Sequence, residues 1–243
     1  MVRTFVIGDI HGGLKALSQL ITMLHLKKGD RLIFLGDYVD GWSESSQVID
    51  YLNEIDQMYP CVFIKGNHDI WCQEWLNSGM PNPQWLYNGG RSTVDSYNGI
   101  DSDQKMVHLE FFERMKNYYI DDANRLFIHA GFSSMHGPAQ EPFESNFYWD
   151  RTLWEVALSM DKGIKKDSPL FPKRLSLFNE IYIGHTPTVN YNVYVPMNAG
   201  NVWNIDTGAA YNGKLSALNI DTKEIWQSDP VQKLYPAEKG RNK

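Results

Sequence analysis

The chain has 243 residues, 42% of them hydrophobic, with a formal net charge of −6 and a pI near 5.6. This length and apolar content suffice for a sizeable core in one large domain or two small ones. The acidic balance argues against a general nucleic-acid or anionic-membrane binder, which needs a basic patch, and no apolar run approaches the length of a membrane span.

The first apolar run, Phe5-Val6-Ile7, leads directly into Gly8-Asp9-Ile10-His11-Gly12. Such a run, bounded by glycine, reads as a buried strand whose C-terminal end delivers polar side chains to a crevice. It begins so early that no signal peptide fits before Gly8, and the expectation is a cytoplasmic protein. Residues 14–24 carry apolar side chains at helical spacing and return along the sheet. The second strand, Leu32-Ile33-Phe34-Leu35, runs into Gly36-Asp37-Tyr38-Val39-Asp40. A helix over 43–58 follows, with Ser43 or Ser45 as its cap and Val48, Ile49, Leu52 and Ile55 as its apolar stripe. The third strand, Cys61-Val62-Phe63-Ile64, leads through Lys65 into Gly66-Asn67-His68-Asp69. Strand and helix thus alternate, an α/β signature. Cys61 and Cys72 are the only cysteines and read as free thiols.

A short helix is expected over 69–78, followed by a loop in which Pro81 and Pro83 forbid a long regular helix. Residues 103–118 read as a helix with Met106, Leu109, Phe112 and Met115 on one face, and 118–120 as a strand pairing with the next motif strand. That strand, Leu126-Phe127-Ile128, ends in His129-Ala130-Gly131. Residues 132–178 differ in texture, with Gly137-Pro138 and then Phe143, Phe147, Tyr148, Trp149 and Trp154, and read as a site-covering elaboration holding one helix over 146–160. Ile181-Tyr182-Ile183 then runs into Gly184-His185-Thr186. The rest is strand-like at 193–195, 202–205, 214–220 and 223–226, with Asn212-Gly213 and Asp221-Thr222 as hairpin turns and a frayed polar tail over 238–243. Because the five strand-end motifs span 8–186, a single domain over 1–243 is expected.

Five strand ends therefore present Asp, His and Asn. Asp9 and His11 flank Ile10 and can turn toward one ion, and Asp37 from the neighbouring strand can join them. A carboxylate has two oxygens, so Asp37 is the natural ligand shared with a second ion, completed by Asn67, His129 and His185. Oxygen and imidazole ligands without thiolate suit Mn²⁺ first, and Fe or Zn²⁺, rather than Ca²⁺. Two cations about 3.5 to 4 Å apart activate a bridging water and neutralise the charge developing on a phosphoryl group. His68 would then serve as the acid that protonates a leaving oxygen, with Asp40 pairing with its imidazolium.

Together these five motifs resemble those of the calcineurin-like metallophosphoesterases, and most closely the bacterial and phage branch of the serine/threonine phosphoprotein phosphatases. The resemblance covers residues 4–227. It implies an α/β (α+β) fold, a sandwich of two mixed β-sheets flanked by helices with a dimetal site at one edge. It implies Asp9, His11 and Asp37 for one metal, Asp37, Asn67, His129 and His185 for the other, and His68 with Asp40 as the acid and its partner. Pro187 stands where the wider superfamily often has a second metal-binding His, which favours the phosphatase-like branch. Arg151 matches one phosphate-binding Arg of the family. The other is missing, because Gly41 follows Asp40 where the family usually has Arg, and Arg91 is the expected replacement. The implied substrate is a phosphorylated protein or small phosphate ester, with neither nucleic acid nor membrane as partner. The alternatives are a symmetrical dinucleoside tetraphosphatase, whose relatives often carry Ala at the position of Asp40, and a non-catalytic metal-binding module.

Overall fold

The structure, a computed structural model describing residues 2–242, consists of two five-stranded mixed sheets packed face to face with helices outside both. In the first sheet, β1 (Thr4–Ile7), β2 (Arg31–Phe34) and β3 (Cys61–Phe63) run parallel. β9 (Ser216–Asn219) and β10 (Ile225–Gln227) extend that sheet antiparallel beyond β1. In the second, β5 (Arg125–Ile128), β6 (Glu180–Ile183) and β8 (Val202–Asn204) run parallel, edged antiparallel by β4 (Tyr118–Ile120) and β7 (Met197–Ala199).

The strands read as unbroken apolar runs because both of their faces are covered. Alternate side chains point to opposite sides, so each run feeds two cores. Val6, Ile33, Leu35, Phe127, Tyr182 and Leu218 meet between the sheets, where Phe127 stacks on Tyr182 with ring centroids 4.9 Å apart. Phe5, Ile7, Leu32 and Phe34 face α1 (Leu14–Met23) and α2 (Ser45–Met58) on one side. Leu126, Ile128, Ile181 and Ile183 face α7 (Asn146–Trp149) and α8 (Thr152–Ser159) on the other. Parallel pairing in register, Ile7 with Phe34 and Phe34 with Phe63, brings the C-terminal ends of three strands to one edge. The pairings of Phe127 with Tyr182 and Ile183 with Asn204 do the same in the second sheet.

Several expectations are corrected. Neither Ser43 nor Ser45 caps α2: Ser43 bonds the Glu238 carboxylate, and the Ser45 hydroxyl bonds Thr93 and the Asp40 N–H. The stretch after α3 (Asn67–Ser78) is not loop, since Asn82 caps α4 (Pro83–Trp85), where proline is harmless in the first turn, and α5 (Arg91–Ser96) follows. In α6 (Ser102–Glu113) the buried residues are His108, Phe111 and Phe112, while Met106 is exposed. The single helix expected over 146–160 is broken at Asp150-Arg151, because the Asp150 carboxylate caps the Thr152 and Leu153 N–H groups at 3.0 and 3.2 Å. Residues 193–195 form no strand, and Asn212-Gly213 is no hairpin, since β8 and β9 lie in different sheets. The Asp221-Thr222 hairpin forms as expected. α9 (Lys173–Ser176) and α10 (Val231–Leu234) complete the helices, and both cysteines are free. No helix among the described residues is long and apolar enough to cross a membrane. The tail is folded back through residue 242, and Lys243 lies outside the described residues.

Phe127→Ala removes one ring of the inter-sheet stack and should cost about 3–5 kcal/mol. A urea midpoint lowered at unchanged slope would register that loss, whereas a change under ~1 kcal/mol would mean the sheets do not depend on this packing.

Candidate active site

The ends of β1, β2 and β6 turn sharply at their polar residues. Among non-glycine residues with positive φ are His11 (53°), Asp37 (54°), Asp40 (76°) and His185 (66°). Such angles are uncommon outside glycine and mark backbone held by its surroundings. The Asp69 carboxylate holds one of these turns, accepting the N–H groups of Asp37, Tyr38 and Gly66 at 2.8, 2.9 and 2.8 Å. Glycine is required at 66, where a Cβ would lie 2.2 Å from Asp37 Oδ1, and at 184, where it would lie 2.1 Å from Asp9 Oδ1.

At the common edge, Asp9, His11, Asp37, Asn67, His68, His129 and His185 are all buried. The Nδ1–H of His129 donates to the Leu35 carbonyl at 2.8 Å, which leaves the Nε2 of the neutral ring as a lone pair. That lone pair lies 3.1 Å from Asn67 Oδ1 and 3.4 Å from Asp37 Oδ2, acceptor facing acceptor. His11 repeats the pattern: its Nδ1 faces the Val39 and Asp40 carbonyls at 3.1 and 3.2 Å, and its Nε2 faces Asp37 Oδ2 at 3.6 Å and Asp9 Oδ2 at 3.9 Å. His185 Nδ1 adds a third nitrogen 3.0 Å from Asn67 Oδ1. Two groups close enough to hold an ion result, His11 with Asp37 and His68, and Asp37 with His129 and His185, and they share Asp37. The backbone N–H of His185 donates to Asp9 at 3.1 Å, which places this carboxylate at the rim of both groups.

The electrostatics fit cations as well. Burial, and then the Asp206 and Asp37 charges, push the Asp9 carboxyl well above its usual range. Burial likewise pushes Asp206 up to about 7. Burial also acts to raise Asp37, but the surrounding imidazoles of His129, His68, His11 and His185 hold it below the usual carboxylate range. Burial holds His11, His129 and His185 below the ordinary imidazole value, in the neutral form that ligates metal. Neutral imidazoles, crowded carboxylates and an amide oxygen make a donor set for borderline divalent cations, and His11 and His129 are each oriented by a second nitrogen bonded to a main-chain carbonyl.

His68 stands beside this group with its Nδ1 2.5 Å from Asp40 Oδ2. Asp40 is fully buried and also accepts the Trp85 indole N–H and the Thr93 hydroxyl, both at 2.6 Å. A cavity of about 340 Å³ opens over Asp37 and His68, with Trp71, Trp149, Arg151 and Tyr211 among its walls. Arg151, freed by the helix break, points its Nε at His185 Nε2 at 3.4 Å. Arg91 is exposed at the start of α5 and does not line the cavity, so the expected replacement for the missing arginine is not there. Sequence reasoning missed Asp206 and Arg241, which do line it. Asp206 was findable, because β8 and Ile205 run into Asp206-Thr207-Gly208 just as the other strands run into their motifs.

A site of this composition at the C-terminal edge of a two-sheet sandwich defines a metal-dependent phosphoric ester hydrolase. The model of the calcineurin-like phosphoesterase family matches residues 2–195, and the chain belongs to that family. Among curated proteins it is similar to the asymmetrical bis(5'-nucleosyl)-tetraphosphatase PrpE of Oceanobacillus iheyensis, at 24% identity covering 90% of this chain and 89% of that one. The protein of the same name from Anoxybacillus flavithermus is 26% identical, covering 97% of each. A protein serine/threonine phosphatase structure from Saccharomyces cerevisiae shares the fold with a TM-score of 0.61 at 13% identity, over 94% of this chain and 80% of that one. Family membership sets aside the reading as a non-catalytic module.

Two outcomes are expected. Mn²⁺ at about a hundred times its dissociation constant should raise unfolding stability by ~2.7 kcal/mol per site, and Asp37→Ala should abolish most of that gain in a thermal melt. Asp206 binds its proton more tightly folded than unfolded, so its contribution is present below about pH 4 and is lost as pH rises through about 7. Metal-free Asp206→Asn protein should therefore match wild type near pH 4 and exceed it by more than ~1 kcal/mol at pH 8. Parallel pH profiles of the two proteins would refute this assignment.

Proposed function

We propose that the cleft hydrolyses phosphate monoesters, of a phosphorylated protein or a small molecule, with one cation held by Asp9, His11 and Asp37 and a second by Asp37, Asn67, His129 and His185. Such a pair, when bound, supplies an activated water and neutralises charge on the phosphoryl group. The chain's own residues do the rest. Arg151 holds phosphate oxygens from the cavity wall. Asp40, fixed by Trp85 and Thr93, orients the His68 ring through Nδ1 and leaves Nε2 to carry the proton. As water adds to phosphorus and the ester P–O bond breaks, that proton passes to the leaving oxygen. The observation carrying this reading is that the His68–Asp40 pair opens onto the same cavity as the converging ligand lone pairs. An alkoxide needs such an acid, which supports a monoester of Ser, Thr or an alcohol.

A second reading, hydrolysis of dinucleoside polyphosphates, is supported by the names of the relatives that align over almost the whole chain. A nucleotide leaving group is stable as an anion and makes less demand on His68. Supply of manganese, iron or zinc decides which cation serves.

His68→Asn should slow an alkyl phosphate by roughly 10²–10⁴-fold, slow an activated aryl phosphate far less, and leave bound metal at the wild-type stoichiometry. Equal slowing of both substrates, or loss of a metal, would falsify the acid role. In parallel assays of Mn²⁺-loaded protein, phosphopeptides are expected to outpace diadenosine tetraphosphate, and the reverse ranking selects the second reading.

A further inference from the structure

Gly41 leaves a niche rather than a void. Gly41 and Gly89 face each other, joined by a hydrogen bond from Gly41 N–H to the Gly89 carbonyl at 3.3 Å. Both have strongly positive φ, 107° and 111°. A Cβ built on either would come within 3.2 Å of one atom, the Cγ of Arg241. The aliphatic stem of Arg241 therefore lies over both glycines, in the space a side chain at 41 would take. Its backbone N–H donates to the Ala210 carbonyl at 2.8 Å.

The tail that carries it is pinned from several sides. The fully buried Trp42 stacks on Tyr235 at 5.2 Å and donates its indole N–H to the Ala209 carbonyl at 2.8 Å. Gly240 packs so tightly on Trp42 that a Cβ there would lie 2.6 Å from the ring. The Glu238 carboxylate accepts the Ser43 N–H and hydroxyl at 3.0 and 2.7 Å. Gln232 holds the Glu238 carbonyl at 2.7 Å. The two residues that follow Gly41 thus serve as the anchor for the tail.

The guanidinium enters the cavity that Asp37, His68 and Arg151 also line, half-buried, with its carbon 5.5 Å from the centre of the Tyr211 ring. No carboxylate among the described residues lies within ion-pair distance of it, although its charge acts on His11 and Asp206. A cation held by its stem, aimed into an active-site cavity and with no carboxylate in contact with it is an anion-binding group. We infer that Arg241, delivered by the C-terminal tail across Gly41 and Gly89, is the second phosphate-binding arginine of this site and acts opposite Arg151. Gly41 is then the accommodation for Arg241, and the two residues exchange an arginine between distant parts of the chain. A second cavity of about 510 Å³, lined by Tyr87, Gly89, Tyr211 and Asn242, adjoins the first at Arg241. The same guanidinium can therefore hold a phosphate whose organic part extends toward Tyr87 and Tyr211.

The inference rests on the phosphohydrolase reading, and the test separates the two. Inorganic phosphate is titrated into Mn²⁺-loaded wild-type, Arg241→Ala and Arg241→Lys proteins by calorimetry, and KM and kcat are measured with an aryl phosphate. Arg241→Ala should weaken phosphate binding and raise KM by about ten- to a hundredfold, with bound metal and the urea midpoint unchanged. Arg241→Lys should fall between, since an ammonium keeps the charge and loses the two-pronged geometry. Millimolar guanidinium chloride should partly restore the Ala variant, which a packing role would not allow. Phosphate affinity and KM equal to wild type in Arg241→Ala overturn the inference while the hydrolase reading stands. Arg241-dependent phosphate binding by a wild-type protein that turns over no phosphate ester supports the inference and removes that reading.

Discussion

The constraint on which the site depends is a convergence of acceptors. With Nδ1 of His129 donating to a main-chain carbonyl, its Nε2 lone pair is left facing Asn67 Oδ1 and Asp37 Oδ2, and His11 faces Asp37 and Asp9 in the same way. Hydrogen bonding cannot reconcile so many lone pairs aimed at so small a volume. Divalent cations can, and Asp37, standing in both groups, is the residue through which two of them would be joined.

Everything around that volume holds it open. Parallel pairing in register delivers the strand ends to one edge, and left-handed turns at His11, Asp37 and His185 swing the ligands inward. Asp69 ties the turn at Asp37 to the first turn of α3 by three backbone N–H bonds, which fix Asn67 relative to Asp37. The cost of these strained turns and crowded carboxylates is carried by three apolar layers, one between the sheets and one outside each. Function and stability meet at Asp40, whose carboxylate orients His68 while its backbone N–H is bound by Ser45 and Thr93 at the start of α2 and within α5.

The strand ends were legible in the sequence because a doubly covered strand must be apolar throughout and must stop where polar chemistry begins. That rule yields Asp9, Asp37, Asn67, His129 and His185, and applied once more, to the run ending at Ile205, it also yields Asp206. Elements governed by local competition were harder to read. Asp150 breaks a helix because its carboxylate satisfies the next turn's N–H groups, and Ser43 forgoes its capping place because Glu238 reaches it from the far end of the chain. Trp85 and Thr93 could not be assigned to Asp40 from spacing, since only the packing of α4 and α5 brings them there. Arg241 was the least legible of all. A lone arginine in a polar tail carries no periodicity, and its place is set by a stacked Trp42–Tyr235 pair and by two glycines that make room for its stem.

Asp37 is expected to join two cations in this cavity. Crystals of the protein soaked in Mn²⁺ and measured at the manganese absorption edge test it most directly. Two anomalous peaks about 3.5 to 4 Å apart, both bonded to the Asp37 carboxylate, are expected. A single peak, or two of which one does not touch Asp37, would contradict it.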